Sequence, residues 1–211
     1  MKPRSAEILP PALLEQIAAV ATARSFPRGA IMVNEGDETD SLYLVLSGRA
    51  RVFVADAEGR EVQLNQLGPG EYFGEVTLDG GPRSASVMAL AECRCAVVKR
   101  ADLTAFLEQH PEFGLHVMKK LAHRVRELTE NVRSLALMDV YGRVARLLLE
   151  LAEEQDGRQV IAESPTQKDM ASRVGCSREM ISRIFSDLAA GGYVRKEGGL
   201  LVILKKPPAR W

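Results

Sequence analysis

Cysteine is scarce in this chain. Cys93, Cys95 and Cys176 are three among 211 residues, too few and too scattered for a disulfide framework. Cys93 and Cys95 flank Arg94 in a strand-like run, so both point to one face, where core packing is their ordinary role. His110, His116 and His123 form no ligand cluster with them, which excludes a zinc or iron–sulfur site of the usual ligand count. Long apolar runs are missing as well: none approaches the roughly 18 residues a membrane helix needs. No apolar core follows the leading Met1-Lys2-Pro3-Arg4-Ser5-Ala6-Glu7, as it would in a signal peptide. These absences predict a cytoplasmic protein without a membrane partner. Residues 70–87, where small-molecule chemistry concentrates, hold no Ser/His/Asp set, metal cluster or phosphate-loop lysine, so the chain does not read as an enzyme. Net charge is absent too, with 28 Lys/Arg against 28 Asp/Glu.

That neutrality hides an asymmetry. From Ser164 to the end, nine Lys/Arg stand against four Asp/Glu, a local excess of +5 that the rest of the chain offsets. The basic end contains residues 166–185, which read as two short helices joined by a tight turn. Met170, Val174, Ile181 and Ile184 recur on one face, and Ala171 is small enough for a close helix crossing. Gly175 falls where the chain reverses, and Ser177 precedes the second helix as an N-cap. Arg178, Glu179 and Arg183 are left on the exposed side, near the end from which a recognition helix reads the major groove. Tyr193 to Lys196, a Glu-Gly-Gly turn and Leu200 to Leu204 add a hairpin, the wing of a winged helix. Double-stranded DNA is the expected partner.

At 46% hydrophobic and 27% charged the composition is that of a globular protein, long enough for one large or two modest domains. Residues 11–20 read as a short amphipathic helix. From Phe26 to Val98 short strands alternate with glycine turns: 31–33, 41–46, 50–55, 61–67, 84–90 and 93–98. That texture predicts an antiparallel sandwich or jelly-roll barrel. Helix resumes at Ala101 and runs on from Pro111. Within it Met118, Leu121, Val125, Leu128, Val132 and Leu135 are spaced 3, 4, 3, 4, 3, a heptad seam that either packs one helix on its own domain or pairs two chains in parallel. Its strict spacing favours a homodimer through residues 115–138. Asp139 ends the seam.

One barrel turn carries the small-molecule chemistry: Gly70 to Leu78, then Asp79-Gly80-Gly81 and Pro82-Arg83-Ser84-Ala85-Ser86-Val87. Gly74 permits close backbone approach, Glu75 accepts from hydroxyls, and Arg83 offers a fork of donors suited to phosphate. Ser84 adds a hydroxyl beside exposed N–H groups. These residues meet the needs of a nucleotide monophosphate, and equally those of a Glu75–Arg83 salt bridge across a turn.

Taken together, the barrel, the seam and the winged helix resemble the catabolite activator protein/FNR superfamily of bacterial transcription regulators over essentially the whole chain. The resemblance implies an α+β architecture: a cyclic-nucleotide-binding β jelly-roll over residues 1–110, a dimerisation helix over 111–138 and a winged helix-turn-helix over 139–211. It implies that Glu75 binds the ribose 2′-hydroxyl and that Arg83 and Ser84 hold the cyclic phosphate, with Gly74 and Val76 in further contact. Arg178 and Arg183 would read guanines and Glu179 a cytosine amino group, with Ser177 and Ser182 beside them and Thr166 and Lys168 on backbone phosphates. The implied half-site is TGTGA-like, in an inverted palindrome, and RNA polymerase is a further implied partner. In the cAMP receptor branch two adjacent hydroxyl residues on the dimer helix contact adenine. Here Leu128 and Thr129 stand there, one hydroxyl having become part of the seam. cAMP is the expected ligand, with cyclic di-GMP, cGMP or no ligand as alternatives, and a nucleotide-binding interaction module without DNA regulation as the rival of another class.

Overall fold

Glycine turns divide the N-terminal half into strands too short to form a core singly, and they stack as two sheets. The computed structural model describes residues 8–208 apart from 156 and 163. One sheet has the order β1 (Thr22–Phe26), β8 (Cys93–Val98), β3 (Leu42–Ser47), β6 (Tyr72–Phe73). The other has β2 (Ile31–Val33), β7 (Ser86–Ala89), β4 (Ala50–Ala55), β5 (Glu61–Leu67). The pairings β1–β8, β3–β8, β3–β6, β2–β7 and β4–β7 are antiparallel. Tyr43, Val45, Phe73, Val87, Cys93 and Cys95 fill one apolar cluster, so the two thiols are core groups. Burial pushes the Cys95 thiol up to about 12, with the neighbouring Cys93 adding to the rise.

β3 is buried on both faces, because Leu42 and Leu44 belong to a second cluster. There α1 (Pro11–Ala19), α2 (Arg100–Gln109) and the start of α3 (Pro111–Leu137) supply Leu13, Ile17, Leu103, Phe106, Phe113 and Val117. Leu121 is half-buried against the same cluster. Its five partners in the heptad are exposed, Val125 at 62% and Val132 at 66%. The chain divides into two compact units, and the division falls inside α3, between Arg126 and Glu127.

Within the second unit the Asp139 carboxylate accepts from Gly142 N at 2.7 Å and caps α4 (Val140–Leu151). α5 (Gln167–Val174) opens with a capping box between Thr166 and Asp169. Gly175 then takes the left-handed conformation (φ 73°) that ends it. α6 (Arg178–Ala190) starts from a Ser177 cap at 3.2 Å to Met180 N. Met170, Val174, Ile181, Ile184 and Leu188 close the core with Tyr141, Val144 and Leu148 of α4. The wing is larger than the hairpin that the sequence predicts. β11 (Val194–Glu197) and β12 (Leu200–Ile203) join β10 (Arg158–Ile161) and β9 (Glu153–Gln155) in a four-stranded sheet.

Candidate functional site

The barrel site is built around one buried arginine. Its loop is clamped by backbone bonds: Arg83 N donates to Asp37 O at 2.9 Å and Gly36 N to Arg83 O at 2.8 Å. The residue is 4% exposed. Its Nε donates to Thr39 Oγ1 at 2.8 Å and its Nη2 to Ser41 O at 2.6 Å, while the guanidinium stands 5.6 Å over the Tyr43 ring. Nη1 is buried and has no hydrogen-bond partner among the described residues. Burial lowers the affinity of this guanidinium for its proton, and Tyr43, Asp40, Asp37 and Glu75 oppose that shift.

Gly74 makes the arrangement sterically admissible. Its φ is +95°, and a Cβ there would lie 2.6 Å from Ser41 O and closer still to the Arg83 guanidinium. The close approach permitted by this glycine is therefore that of Arg83 itself. A 3-10 turn, Glu75–Asp79, follows directly. The Glu75 ion pair is with Lys120 of α3, at 3.5 Å to Oε1, so the turn-spanning Glu75–Arg83 bridge that the sequence allowed is not formed. Glu75 Oε2 is buried without a hydrogen-bond partner among the described residues. One unspent cationic donor and one unspent carboxylate oxygen thus lie buried in a single cassette, a donor set that fits an anion carrying a hydroxyl. Val76 and Ser84 are exposed beside it. Leu128 and Thr129 are exposed on α3 beyond the point where the units divide.

Thr39, Ser41 and Lys120 are the members of this site that sequence reasoning missed. Lys120 had a signal: it follows Phe113 and Val117 at spacings of four and three along the helix face that packs into the barrel.

In the second unit, the cap Ser177 and, on α6, Arg178, Glu179, Ser182 and Arg183 are exposed while Ile181, Ile184 and Leu188 are buried. The α6 residues thus share one solvent face at i and i+4 spacing. Glu179 is held below the usual carboxylate range by its own backbone N–H, then by the Ser177 hydroxyl and the Arg178 charge. Thr166 and Lys168 are exposed at the start of α5, and the Thr166 hydroxyl donates to Asp169 at 2.6 Å. On the wing, Glu197 bridges Arg158 at 3.3 Å and Arg195 at 3.2 Å, with Lys196 exposed between them.

Comparison with known proteins matches both halves. Residues 23–110 fit a family model described as a cyclic nucleotide-binding domain, and residues 142–209 fit one described as a Crp-like helix-turn-helix domain. The chain is 34% identical over 197 residues to a CRP-like cAMP-activated global transcriptional regulator of Mycobacterium tuberculosis, covering 91% of this chain and 86% of that protein. It is 31% identical over 201 residues to the cAMP-activated global transcriptional regulator Vfr of Pseudomonas aeruginosa, covering 90% and 92%. The solved structure of the c-di-GMP responsive global regulator CLP of Xanthomonas campestris superposes with a TM-score of 0.79 at 25% identity, over 92% of this chain and 99% of that one. Among the described residues, no helix is long and apolar enough to cross a membrane.

Proposed function

The chain belongs to the CRP-like family of cyclic-nucleotide-responsive, DNA-binding transcription regulators, and from that premise we propose that it is a cytoplasmic, cAMP-controlled homodimer that reads a TGTGA-like palindrome. Its parts are residues 1–110 for the ligand, 111–138 for pairing and 139–211 for DNA. The buried Arg83 Nη1 and Glu75 Oε2, each without a hydrogen-bond partner among the described residues, carry the ligand reading. A buried donor left unmade is costly, and a cyclic phosphate on Arg83 with a ribose 2′-hydroxyl on Glu75 removes both deficits. Ser84 adds its hydroxyl and N–H, Gly74 and Val76 flank the sugar, and Thr129 with Leu128 serves the base.

On DNA, Arg178 and Arg183 take guanines and Glu179 a cytosine amino group. Ser177 and Ser182 lie at the same edge, and Thr166 and Lys168 hold backbone phosphates. Pairing along Val125, Leu128, Val132 and Leu135 covers the exposed seam. With both half-sites engaged, the regulator acts by presenting a surface to RNA polymerase. Likeness to a c-di-GMP responsive regulator keeps cyclic di-GMP as the second reading.

Calorimetric titration with cAMP, cGMP and cyclic di-GMP tests the choice. The expected result is saturable cAMP binding, one per protomer, with the other two weaker by at least an order of magnitude. Tighter binding of cyclic di-GMP selects the second reading and discards the first.

A further inference from the structure

Lys120 is an unusual tenant of the barrel core. It is 5% exposed, although a lysine head normally reaches water. Its ammonium donates to the Tyr72 carbonyl, stands 3.7 Å over the Tyr72 ring and pairs with Glu75 Oε1 at 3.5 Å. A buried ion pair serving only stability would bring the carboxylate its full complement of donors, because an ionised oxygen left bare in the interior is costly. Here only half of the carboxylate is engaged: Oε1 faces Lys120 and Oε2 has no hydrogen-bond partner among the described residues.

The lysine is also better anchored than its partner. Glu75 starts a 3-10 turn, whereas Lys120 sits on a 27-residue helix. That helix is fixed to the barrel by Phe113 and Val117 and by Arg124 donating to Leu64 O at 3.1 Å.

We propose that Lys120 is a positioning residue of the nucleotide site: by holding Glu75 Oε1 from α3, it aims Oε2 at a ligand hydroxyl and links occupancy of the site to the placement of that helix. The inference rests on reading Glu75 as the ribose ligand. A hydroxyl on Oε2 favours the helix position in which Lys120 holds Oε1, and that helix position favours the hydroxyl in return, since coupling between two sites is reciprocal. The preference for ribose over 2′-deoxyribose, which Glu75 reports, therefore depends on a residue that touches neither sugar.

The test titrates the full-length protein with cAMP and with 2′-deoxy cAMP, alongside melting curves of the unliganded forms. Wild type is expected to prefer the ribonucleotide by about tenfold or more, the scale set when one hydrogen bond to a charged group is lost. Lys120→Met abolishes most of that preference and Lys120→Arg restores it. In a Glu75→Gln background, Lys120→Met produces no further loss of preference, because the two residues act as one unit. Equal weakening of both nucleotides, with the preference intact, marks a merely structural lysine and overturns the inference. So do additive effects in the cycle. Should Lys120→Met fold poorly, Lys120→Gln, which keeps a donor for the Tyr72 carbonyl but no charge for Glu75, is titrated in its place and decides by the same criterion. Wild-type protein that binds neither nucleotide overturns the reading of Glu75 itself, whereas a wild-type preference indifferent to Lys120 overturns this inference alone.

Discussion

At the scale of single residues, the barrel site depends on a glycine making room for an arginine. Gly74→Ala places a methyl group where Ser41 O and the Arg83 guanidinium already stand, at a φ that L-residues rarely adopt. The backbone conformation alone costs about 1–2 kcal/mol. The expected outcome is a lower melting temperature together with loss of cAMP affinity, read by calorimetry on the folded variant. His116 makes a different prediction. Its Nε2 faces Ile8 O at 3.2 Å, so that nitrogen carries the proton, and Nδ1 accepts from the Tyr72 hydroxyl at 3.1 Å. Burial lowers its affinity for a second proton; the Ile8 carbonyl opposes this and Lys120 and Lys119 reinforce it. With the folded value below 6.5, the unfolded chain binds more protons as pH falls, so this histidine's contribution is intact above about 6.5 and is lost as pH drops through the lowered value. Melting curves from pH 8 to 5 should decline less in His116→Gln than in wild type. Parallel declines would contradict the assignment.

At the scale of elements, one guanidinium joins two helix ends. Arg143 of α4 donates from Nε to Val174 O, at the end of α5, and from Nη1 to Met138 O, just beyond α3, both at 3.0 Å. These are terminal carbonyls without helical partners. Arg143→Met is expected to cost about 1.5–3 kcal/mol in urea unfolding, the range for hydrogen bonds to a charged group. A loss within error of zero would mean that water replaces both bonds. The elements also differ in how far their sequences disclose them. α5 and α6 are legible because each buries one stripe, Met170 and Val174 in α5 and Ile181, Ile184 and Leu188 in α6, leaving Arg178, Glu179 and Arg183 outside. β3 has no alternation, since Leu42 to Val45 are all buried, yet its β-branched and apolar content still marks a strand. β1 and β9 are nearly all exposed, and their ladders rather than any apolar pattern hold them. The cassette discloses Glu75 and Arg83 but not their partners, because the Ser41 carbonyl carries no residue signature and Lys120 reads as one more charge on a charged helix.

At the scale of the molecule, α3 is the element that both compact units share. Its exposed stripe of Val125, Leu128, Val132 and Leu135 is the surface that the proposed pairing of two copies covers. Val132→Lys puts a charge in the middle of that seam, and sedimentation should then report monomers of unchanged helical content with greatly weakened affinity for palindromic DNA. A Val132→Lys dimer would place the interface elsewhere. In the proposed switch, occupancy of the barrel governs the winged helix. A nucleotide shifts such an equilibrium only by its differential affinity for the two states, typically about 1–3 kcal/mol. The decisive measurement is therefore the affinity of the full chain for a TGTGA palindrome with and without saturating cAMP, at one fixed salt concentration. DNA binding is expected to tighten by roughly 5–150-fold. An affinity that is the same in both conditions contradicts the proposed switch.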